Sequence, residues 1–333
     1  MVPNTIEFVP LHKTFAAECR NVDFTKDISQ ETTDIIKSGL DKYGVLIFRN
    51  TGLSDDDYVR FCAHLGEMDP PREPNARVKN PWLTSPSNIR NDESVVQVGE
   101  FQYYAGKASA IFHCDGSYDP RRIRYTSIKA VQLPPPESGG GTEFCDTRAA
   151  WDDLDDDLKG TCVGKVATHS WFNTRKAAAP DYPSFKALQP MRHFMARQYL
   201  TERQPRTGRN NLYIGYHIEY IEGMNRKKSS ELFDKLMAHA VQPKYLFECT
   251  YKNPGDMVIW DNLSVMHRAA PGSYVGKYKR DMRRATMLDC TPEEWGLNVP
   301  GTERIDTTGI LKEVHAQVTG NDSVFRIRET LDN

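Results

Sequence analysis

The stretch GDMVIWDNLSVMH, residues 255–267, places a short apolar run between two polar turns. The run MVIW (257–260) is typical of a buried strand, and the turn signal NPGD (253–256) precedes it. A polar corner follows, and the next apolar residues end at His267. The stretch therefore predicts a core strand, a corner, and a histidine brought to the end of the core.

Short β-like runs separated by turn signals such as PPPESGGG continue on both sides of this stretch. Many short strands with few helices predict a mostly β fold, a sandwich or barrel with flanking helices packed outside. The runs are GVLIFRN (44–50), YTSIKAVQL (125–133), GTEFCD (141–146), LYIGYHI (212–218), KYLFECTY (244–251), DMVIWDN (256–262) and RRATMLDC (283–290).

Helical patterns are fewer. Residues 27–44 read as an amphipathic helix with Ile35, Ile36, Leu40 and Tyr43 roughly on one face. Residues 51–67 read as a second helix with Ser54 as N-cap. Further helices are predicted at AAWDDLDDDLKG (149–160), SSELFDKLMAHAVQ (229–242) and, as a short one, near GILKEVHAQV (309–318).

No linker interrupts the chain, so we expect one domain over residues 1–333. Residues 68–110 are rich in Pro, Asn, Arg and Ser, with only short strand-like pieces such as SVVQVG. A long irregular segment in a compact chain is often functional, which predicts an active-site lid here. Residues 291–333 are more polar and are predicted to form a C-terminal extension.

Composition restricts the partners. The chain has 333 residues and a formal net charge of −2, which gives no electrostatic basis for binding nucleic acid or an anionic membrane. No apolar run of about 18 residues is present, and the N-terminus lacks the features of a secretory signal. Seven scattered cysteines without a CxxC motif are typical of reduced thiols. We therefore expect a cytoplasmic protein, for which a homo-oligomer is compatible with the sequence.

The stretch IFHCDGSYD, residues 111–119, carries a histidine and an aspartate two residues apart. In an extended strand His113 and Asp115 point to the same face, whereas Cys114 points to the other. Such a pair forms a salt bridge, a general-base pair or two of the three ligands of a metal site. This stretch alone leaves the three interpretations open.

His267 is the candidate for a third ligand because the core strand leads to it. Two histidines and one carboxylate leave three positions of an octahedral ion open, which suits non-haem Fe(II) with a bidentate co-substrate and O2. The same donors also bind zinc. A lone histidine is usually a surface or core residue and not a metal ligand. We keep that interpretation for His12, His64, His193, His239 and His315.

A basic stretch, KRDMRRATML (279–288), follows His267. In a strand Arg280 and Arg284 share one face, and Arg283 shares the other with Asp281. Guanidinium groups bind carboxylates in a bidentate manner, so two of them on an inward face predict sites for two anions. A solvated basic edge strand is the alternative.

Taken together, these residues resemble the taurine/2,4-dichlorophenoxyacetate (TauD/TfdA) dioxygenase family of Fe(II)/2-oxoglutarate-dependent oxygenases, and the phenoxyacetate-type branch more closely. The resemblance covers roughly residues 5–290 and implies a double-stranded β-helix, or jelly roll. It depends on the order of HxD, GGxT, GDxxxWDN with a later histidine, and R-x3-R. The segments that carry it are GVLIFRN, FHCDGSYD, ESGGGTEFCDTRAAWDDL, LYIGYHIEYIEGM, GDMVIWDNLSVMHRA and RDMRRAT.

The resemblance also implies roles for single residues. His113, Asp115 and His267 match the iron ligands, and these are the predicted catalytic residues. Thr142 and Arg280 match the residues that bind the distal carboxylate of 2-oxoglutarate.

Arg284 matches the arginine that binds the acidic group of the substrate. Ser109, Tyr104 and Tyr216 are further predicted substrate contacts. Trp171, Phe172 and His217 are candidates for the pocket wall, with core packing as the alternative, and His169 and His217 for hydrogen bonds around the ligands.

The implied reaction couples 2-oxoglutarate and O2 to the oxidation of a small acidic organic substrate, and releases succinate and CO2. Hydroxylation is the expected outcome, with desaturation and oxidative ring closure as alternatives. Two rival functions remain at this point. One is a zinc-dependent hydrolase on a jelly roll, and the other is a non-catalytic protein that binds small acids.

Overall fold

A computed structural model describes residues 5–72 and 77–320 of the chain, and these residues form fifteen strands and nine α-helices. The helices are α1 Gln30–Tyr43, α2 Asp55–Leu65, α3 Phe101–Lys107, α4 Thr147–Asp152, α5 Asp156–Cys162, α6 Trp171–Ala178, α7 Pro183–Ala187, α8 Arg226–Ala240 and α9 Thr307–Thr319. The strands are β1 Glu7–Pro10, β2 Ala17–Arg20, β3 Val45–Phe48, β4 Met68–Asp69, β5 Ile123–Gln132, β6 Thr142–Asp146, β7 Val166–His169, β8 Ala196–Tyr199, β9 Thr201–Arg203, β10 Asn210–Leu212, β11 Ile218–Ile221, β12 Leu246–Cys249, β13 Met257–Asp261, β14 Val265–Ala269 and β15 Asp281–Leu288.

The largest sheet draws strands from both ends of the described chain. Its seven strands follow the order β1-β2-β3-β13-β5-β15-β4, and all neighbours are antiparallel except β2 and β3. Two three-stranded sheets, β12-β6-β14 and β11-β7-β8, and the pair β10-β9 complete the strands of the described residues. This antiparallel architecture with flanking helices confirms the predicted mostly β fold of jelly-roll type.

The alternation of side chains along the central strands separates two cores. On β3, Val45 and Ile47 face a cluster that also contains Phe144 of β6 and is shared by the seven-stranded sheet and β12-β6-β14. Leu46 and Phe48 point to the opposite face, where helices α1 and α2 cover the sheet. Because successive side chains of a strand alternate between faces, one short apolar run serves both layers.

The first two helices begin and end close to where the sequence predicts them. Ser54 is the N-cap of α2, and its side chain accepts a hydrogen bond from the backbone N–H of Asp57, as expected for a capping serine. In α1, Ile36 and Leu40 are buried and Tyr43 packs against the same cluster, so three residues of the predicted apolar face share one core. Ile35 is only half-buried and lies outside that cluster. These helices cover the seven-stranded sheet on the side away from the inter-sheet core.

The run LYIGYHI (212–218) is not the continuous strand that the sequence predicts. β10 ends at Leu212, and β11 begins only at Ile218. Between them, Gly215 passes against the backbone of His113, where a Cβ would lie 3.0 Å from the His113 Cα. The close approach of two backbones, rather than strand pairing, sets the conformation of this segment.

The segment 111–119 also differs from the extended strand assumed for it. His113 forms a single antiparallel bridge with His267, and the chain turns immediately afterwards, with a hydrogen bond from the Asp119 N–H to Gly116 O. Gly116 has a φ of +65°, and a Cβ built there would lie 2.6 Å from Ile123 Cγ1. Asp115 therefore lies at the start of a tight turn that only glycine suits at its second position.

The predicted lid and tail contain more regular structure than the sequence suggests. Residues 68–110 contribute β4 and α3, whereas SVVQVG forms only a single bridge between Ile89 and Val95. In the tail, α9 is longer than the predicted short helix and contacts α7. Residues 73–76 and 321–333 lie outside the described part, so the single domain, the lid and the extension as a whole stay predictions.

Six of the seven cysteines are buried, and only Cys290 is exposed. Burial raises the pKa of the Cys62 and Cys249 thiols to about 12, because the apolar surroundings disfavour the thiolate. Within residues 5–72 and 77–320, no helix combines the length and the apolar character needed to span a membrane.

We predict that Gly116→Ala lowers the free energy of unfolding by about 1–3 kcal/mol, since the methyl group adds a clash to a left-handed backbone. Chemical denaturation followed by circular dichroism measures this change. Gly160→Ala is the matched control, because Gly160 lies in α5 with open space around a Cβ, and it should be neutral or stabilising by less than about 1 kcal/mol. Equal stabilities of the two variants would contradict the clash.

Candidate active site

Two backbone hydrogen bonds bring distant parts of the chain together at the site. The N–H of His113 donates to His267 O at 3.0 Å, and the N–H of His267 donates to His113 O at 3.0 Å. His267 lies in the middle of β14, whose neighbour β6 places Phe144 directly opposite. The reciprocal bridge sets the two imidazole rings side by side, with centroids 4.3 Å apart.

Asp115 completes a compact group with the two histidines. Its Oδ1 lies 3.8 Å from His113 Nε2, and its Oδ2 lies 3.5 Å from His267 Nε2. All three residues are buried, and their candidate ligand atoms lie within 4.8 Å of one another. The sequence prediction that these three side chains converge is therefore met by the fold.

The protonation states of the three groups suit metal binding. His113 Nδ1 lies 2.8 Å from Ile111 O, a contact that places the ring proton on Nδ1 and leaves Nε2 as a free electron-pair donor. Burial lowers the pKa of His113, and it lowers the pKa of His267 to about 3. Burial also opposes ionisation of Asp115. Neighbouring groups outweigh this effect, above all the positive charge of Arg284, and they hold the pKa of this carboxyl below its usual range.

A buried hydrogen-bond network fixes the carboxylate of Asp115. Thr126 Oγ1 donates to Asp115 Oδ2 at 2.9 Å, and Asn262 Nδ2 donates to Thr126 Oγ1 at 3.0 Å. The Oδ1 of Asn262 accepts from the Asp115 backbone N–H at 3.0 Å and from Trp260 Nε1 at 3.2 Å. One asparagine thus holds both the backbone and, through Thr126, the side chain of Asp115.

The corner between β13 and β14 is held by Asp261. Its carboxylate accepts hydrogen bonds from the Leu263 N–H and from Ser264 Oγ, both at 2.9 Å, and pairs with Arg124 Nε at 2.9 Å. The corner turns the chain so that β14 delivers His267. The roles of Thr126, Asn262 and Asp261 were not found from the sequence, although the polar WDN corner was their signal.

The donor set fits a non-haem metal centre. Two neutral imidazoles and one carboxylate on one side of an ion match the facial arrangement that leaves positions free for co-substrates. Cys114, between two of the donors, points away into the apolar core, where its Sγ lies 3.6 Å from Ile214 O. A thiolate ligand is therefore excluded from this site, as the sequence predicts.

A cavity of about 360 Å³ opens in front of His113 and Asp115. Predicted site residues among its walls are Arg284 and Ser109, together with the wall candidates Trp171 and His217. The remaining lining residues are Asp69, Pro70, Pro71, Arg72, Trp82, Thr84, Ser85, Pro86, Ala108, Tyr118, Asp119, Ile123, Arg175, Thr286 and Thr308.

Arg284 lies beside the carboxylate of the candidate metal site, with its Nη1 3.5 Å from Asp115 Oδ1. Arg283 points to the other face, where it contacts Asp55 and Asp281, each at 3.0 Å. This confirms the alternation predicted for the strand. Arg280 lies just before β15 and is buried, with its Nε donating to Gly140 O at 2.9 Å.

Thr142 lies on the same face of the sheet as His267. In the pairing of β6 with β14, Thr142 is opposite Ala269 and Phe144 is opposite His267, so the two pairs are neighbours on one face. Thr142 Oγ1 lies 3.1 Å from the hydroxyl of Tyr251, and burial raises the pKa of this tyrosine while the charge of Arg280 opposes the rise. Tyr251, which sequence analysis did not single out, thus lies close to both predicted 2-oxoglutarate contacts.

Two predicted substrate contacts are not among the cavity walls. Tyr104 stacks on Tyr182 with ring centroids 4.3 Å apart, because α3 packs its aromatic side chains against the cluster around α6, α7 and α9. Tyr216 packs edge-on against Phe233 of α8, 5.5 Å away. Phe172 is likewise buried in the core, so the packing alternative holds for these three aromatic residues.

Comparison with known proteins then identifies the chain. Residues 7–286 match the family described as "Taurine catabolism dioxygenase TauD, TfdA family". The chain belongs to the TauD/TfdA family.

Curated relatives support the predicted placement of the chain in the phenoxyacetate-type branch of the family. The alpha-ketoglutarate-dependent 2,4-dichlorophenoxyacetate dioxygenase of Cupriavidus pinatubonensis is 32% identical over 287 residues, covering 84% of this chain and 96% of that protein. The (S)-phenoxypropionate/alpha-ketoglutarate-dioxygenase of Sphingobium herbicidovorans is 28% identical over 277 residues, covering 80% and 89%.

A solved structure shows the same architecture. The crystal structure of AAD-2 in complex with Mn(II) and N-oxalylglycine has a TM-score of 0.76 and 26% identity, covering 86% of this chain and 98% of that one. The predicted class of enzyme, an Fe(II)- and 2-oxoglutarate-dependent dioxygenase that uses O2, is confirmed for this TauD/TfdA protein.

Two histidines form a chain behind the site of this dioxygenase. His169 Nδ1 lies 3.1 Å from Ser117 Oγ, which in turn lies 3.1 Å from His217 Nδ1. The same nitrogen of His217 lies 3.2 Å from Cys114 O, and the His217 ring meets the His113 ring edge-on at 5.5 Å. Hydrogen bonding near the ligands, predicted for both, occurs through this chain and not through a direct bond to a ligand side chain.

We predict that Thr126→Val weakens metal binding about 10- to 100-fold, because Asp115 loses the hydroxyl that orients its carboxylate. Anaerobic calorimetric titration with Fe(II), or with Mn(II) as a redox-stable substitute, measures the affinity. Thr168→Val is the control, since Thr168 is also a buried strand threonine but donates to Tyr220 O at 3.3 Å, away from the ligands. An unchanged affinity of Thr126→Val would show that the network does not tune the site.

Proposed function

We propose that this dioxygenase oxidises a C–H bond of a small acidic substrate, most simply by hydroxylation, with Arg284 binding the acidic group. The observation that carries the proposal is the position of Arg284 in the cavity wall, 3.5 Å from Asp115. A guanidinium there holds a carboxylate or sulfonate next to the metal ligands and orients the rest of the molecule. Carboxylates, amino acids and sulfonates are the substrate classes that this arrangement suits.

Each side of the site has a proposed role. His113, Asp115 and His267 hold Fe(II), while Arg280 and Thr142 bind the distal carboxylate of 2-oxoglutarate. When bound, Fe(II) supplies the O2 chemistry that converts 2-oxoglutarate to succinate and CO2 and oxidises the substrate. The protein orients both acids and limits the access of water.

Asp115 also restricts the outcome. Its carboxylate occupies the ligand position that a halogenase leaves open for chloride, so halogenation is disfavoured. Hydroxylation, desaturation and ring closure all begin with removal of a hydrogen from the substrate, and the three ligands serve each of them equally. Hydroxylation is proposed because it needs no further group from the protein.

Segments predicted to cover the site contribute to the cavity wall. Trp82 and Thr84 come from residues 68–110, and Thr308 comes from α9 in the tail. The N–H of Thr84 donates to Arg284 O, which ties this part of the segment to the strand that carries the substrate arginine. We propose that residues 68–110 act as the lid that shields the reaction from water.

The rival functions explain less. A zinc hydrolase has no use for the buried Arg280, and a non-catalytic acid-binding protein has no need for a complete set of three ligands. A cytoplasmic location, the lack of nucleic-acid and membrane partners, and a homo-oligomer stay predictions from the sequence.

We predict that anaerobic addition of Fe(II) and then 2-oxoglutarate to the apoprotein produces a visible metal-to-ligand charge-transfer band. Absorption spectroscopy measures it without knowledge of the substrate. His113→Ala should abolish the band, whereas His193→Ala, which replaces a histidine outside the site, should retain it. Metal binding by the wild type without a band would contradict the proposed use of 2-oxoglutarate and favour the zinc enzyme.

We predict that Arg284→Ala raises the KM for the acidic substrate about 10- to 100-fold, since a charged hydrogen bond is lost, while 2-oxoglutarate binds almost normally. Acids that perturb the charge-transfer band identify a substrate for steady-state measurement. Arg283→Ala is the matched control, because this neighbour points to the opposite face. An equal loss of affinity for both acids would refute the assignment of Arg284.

A further inference from the structure

The cavity contains a second arginine with an unusual environment. Arg175 lies in the last turn of α6, with its guanidinium carbon 3.3 Å from the centre of the Trp171 ring. Its Nη1 donates to Thr174 Oγ1 at 2.8 Å and to Trp171 O at 3.3 Å, both neutral acceptors. Its Nε is buried and has no hydrogen-bond partner, and no carboxylate of the described residues pairs with this guanidinium.

Other charges in the cavity wall have partners. Asp69 pairs with Arg304, and Asp119 pairs with Arg72. Each of these two pairs is electrically neutral, as buried or half-buried charges usually require. The ionised residues that remain among the lining are Asp115, Arg175 and Arg284.

When Fe(II) and 2-oxoglutarate are bound, two cationic side chains of the site have no anion to balance them. This step rests on the proposed function. The two positive charges of Fe(II) and that of Arg280 are matched by Asp115 and the two carboxylates of 2-oxoglutarate. Arg284 and Arg175 then remain in one cavity without an anion.

The electrostatics of Arg175 show that this arrangement is costly. Burial lowers the pKa of Arg175 to about 9, and the positive charges of Arg72 and Arg284 act in the same direction, while Tyr118 opposes them. The guanidinium nevertheless remains charged at neutral pH. A half-buried cation among other cations destabilises the empty site and favours an anion that enters it.

We infer that the substrate of this dioxygenase carries two acidic groups, one bound by Arg284 and the second bound by Arg175. Trp171 and Ile123 also line the cavity, and their apolar side chains suit an apolar middle portion of the substrate. A cavity of about 360 Å³ lies within the range of small-molecule sites. The chemical class is thus a small dianion with an apolar centre, such as a dicarboxylic acid.

Matched pairs of acids test this inference. The enzyme is first saturated with Fe(II) and 2-oxoglutarate without oxygen, so that its charge-transfer band confirms a loaded site. Dicarboxylic acids of six to nine carbons and the monocarboxylic acids of equal length are then titrated by calorimetry. We expect the best diacid to bind at least about tenfold more tightly than its monoacid, the gain of one charged hydrogen-bonded pair.

Substitutions assign this preference to Arg175. Arg175→Gln should abolish it while monoacid binding and the charge-transfer band remain unchanged, and Arg175→Lys should retain most of it by keeping the charge. Arg197→Gln is the control, since Arg197 is an exposed arginine paired with Glu222 outside the cavity.

Three results would overturn the inference. Equal binding of diacids and monoacids by the wild type would show that the site does not recognise a second acidic group. A preference that persists in Arg175→Gln would place that group elsewhere. An equal loss of monoacid and diacid binding in Arg175→Gln would show that both arginines hold one acid. Failure of the proposed function is distinguishable, because the wild type would then form no charge-transfer band, or would form the band and bind neither diacids nor monoacids.

Discussion

The antiparallel bridge between His113 and His267 is the constraint on which the site depends. It joins a loop to the middle of β14, and its two hydrogen bonds align the ligand histidines with each other. Asn262 adds a second tie, since its side chain accepts from the Asp115 backbone and donates to Thr126. The backbone bridge and the side-chain amide of Asn262 therefore position all three ligand side chains. The flanking helices need only support the sheets.

Sequence patterns were sufficient for the elements that local residue types define. The continuous apolar runs of β3 and β13 and the capping serine of α2 follow from residue type and spacing. They succeed because an apolar run and a side-chain cap are local properties. The convergence of His267 with His113 and Asp115 spans distant parts of the chain, and it was predicted from the chemistry of the three donors instead. The family resemblance then supplied the chemistry that spacing alone left open between iron and zinc.

Other features depend on contacts that no local pattern encodes. Residues 213–217 leave the sheet because Gly215 passes against the His113 backbone, and Tyr104 turns toward Tyr182 because α3 packs on α6 and α7. The unpaired state of Arg175 is visible only once the carboxylates around it are found to have other partners. A half-buried charge without a counter-ion is thus a property of the assembled cavity and not of its sequence.

The burial of six cysteines has a practical consequence for studying this enzyme. A thiol whose pKa is raised by burial holds almost no thiolate at neutral pH, and thiolate is the form that maleimides and iodoacetamides alkylate. Cys290 alone is exposed, two residues beyond the end of β15, the strand that carries Arg284. The chain therefore accepts a single fluorescent or spin label at a defined position beyond the end of β15, without prior removal of its other cysteines.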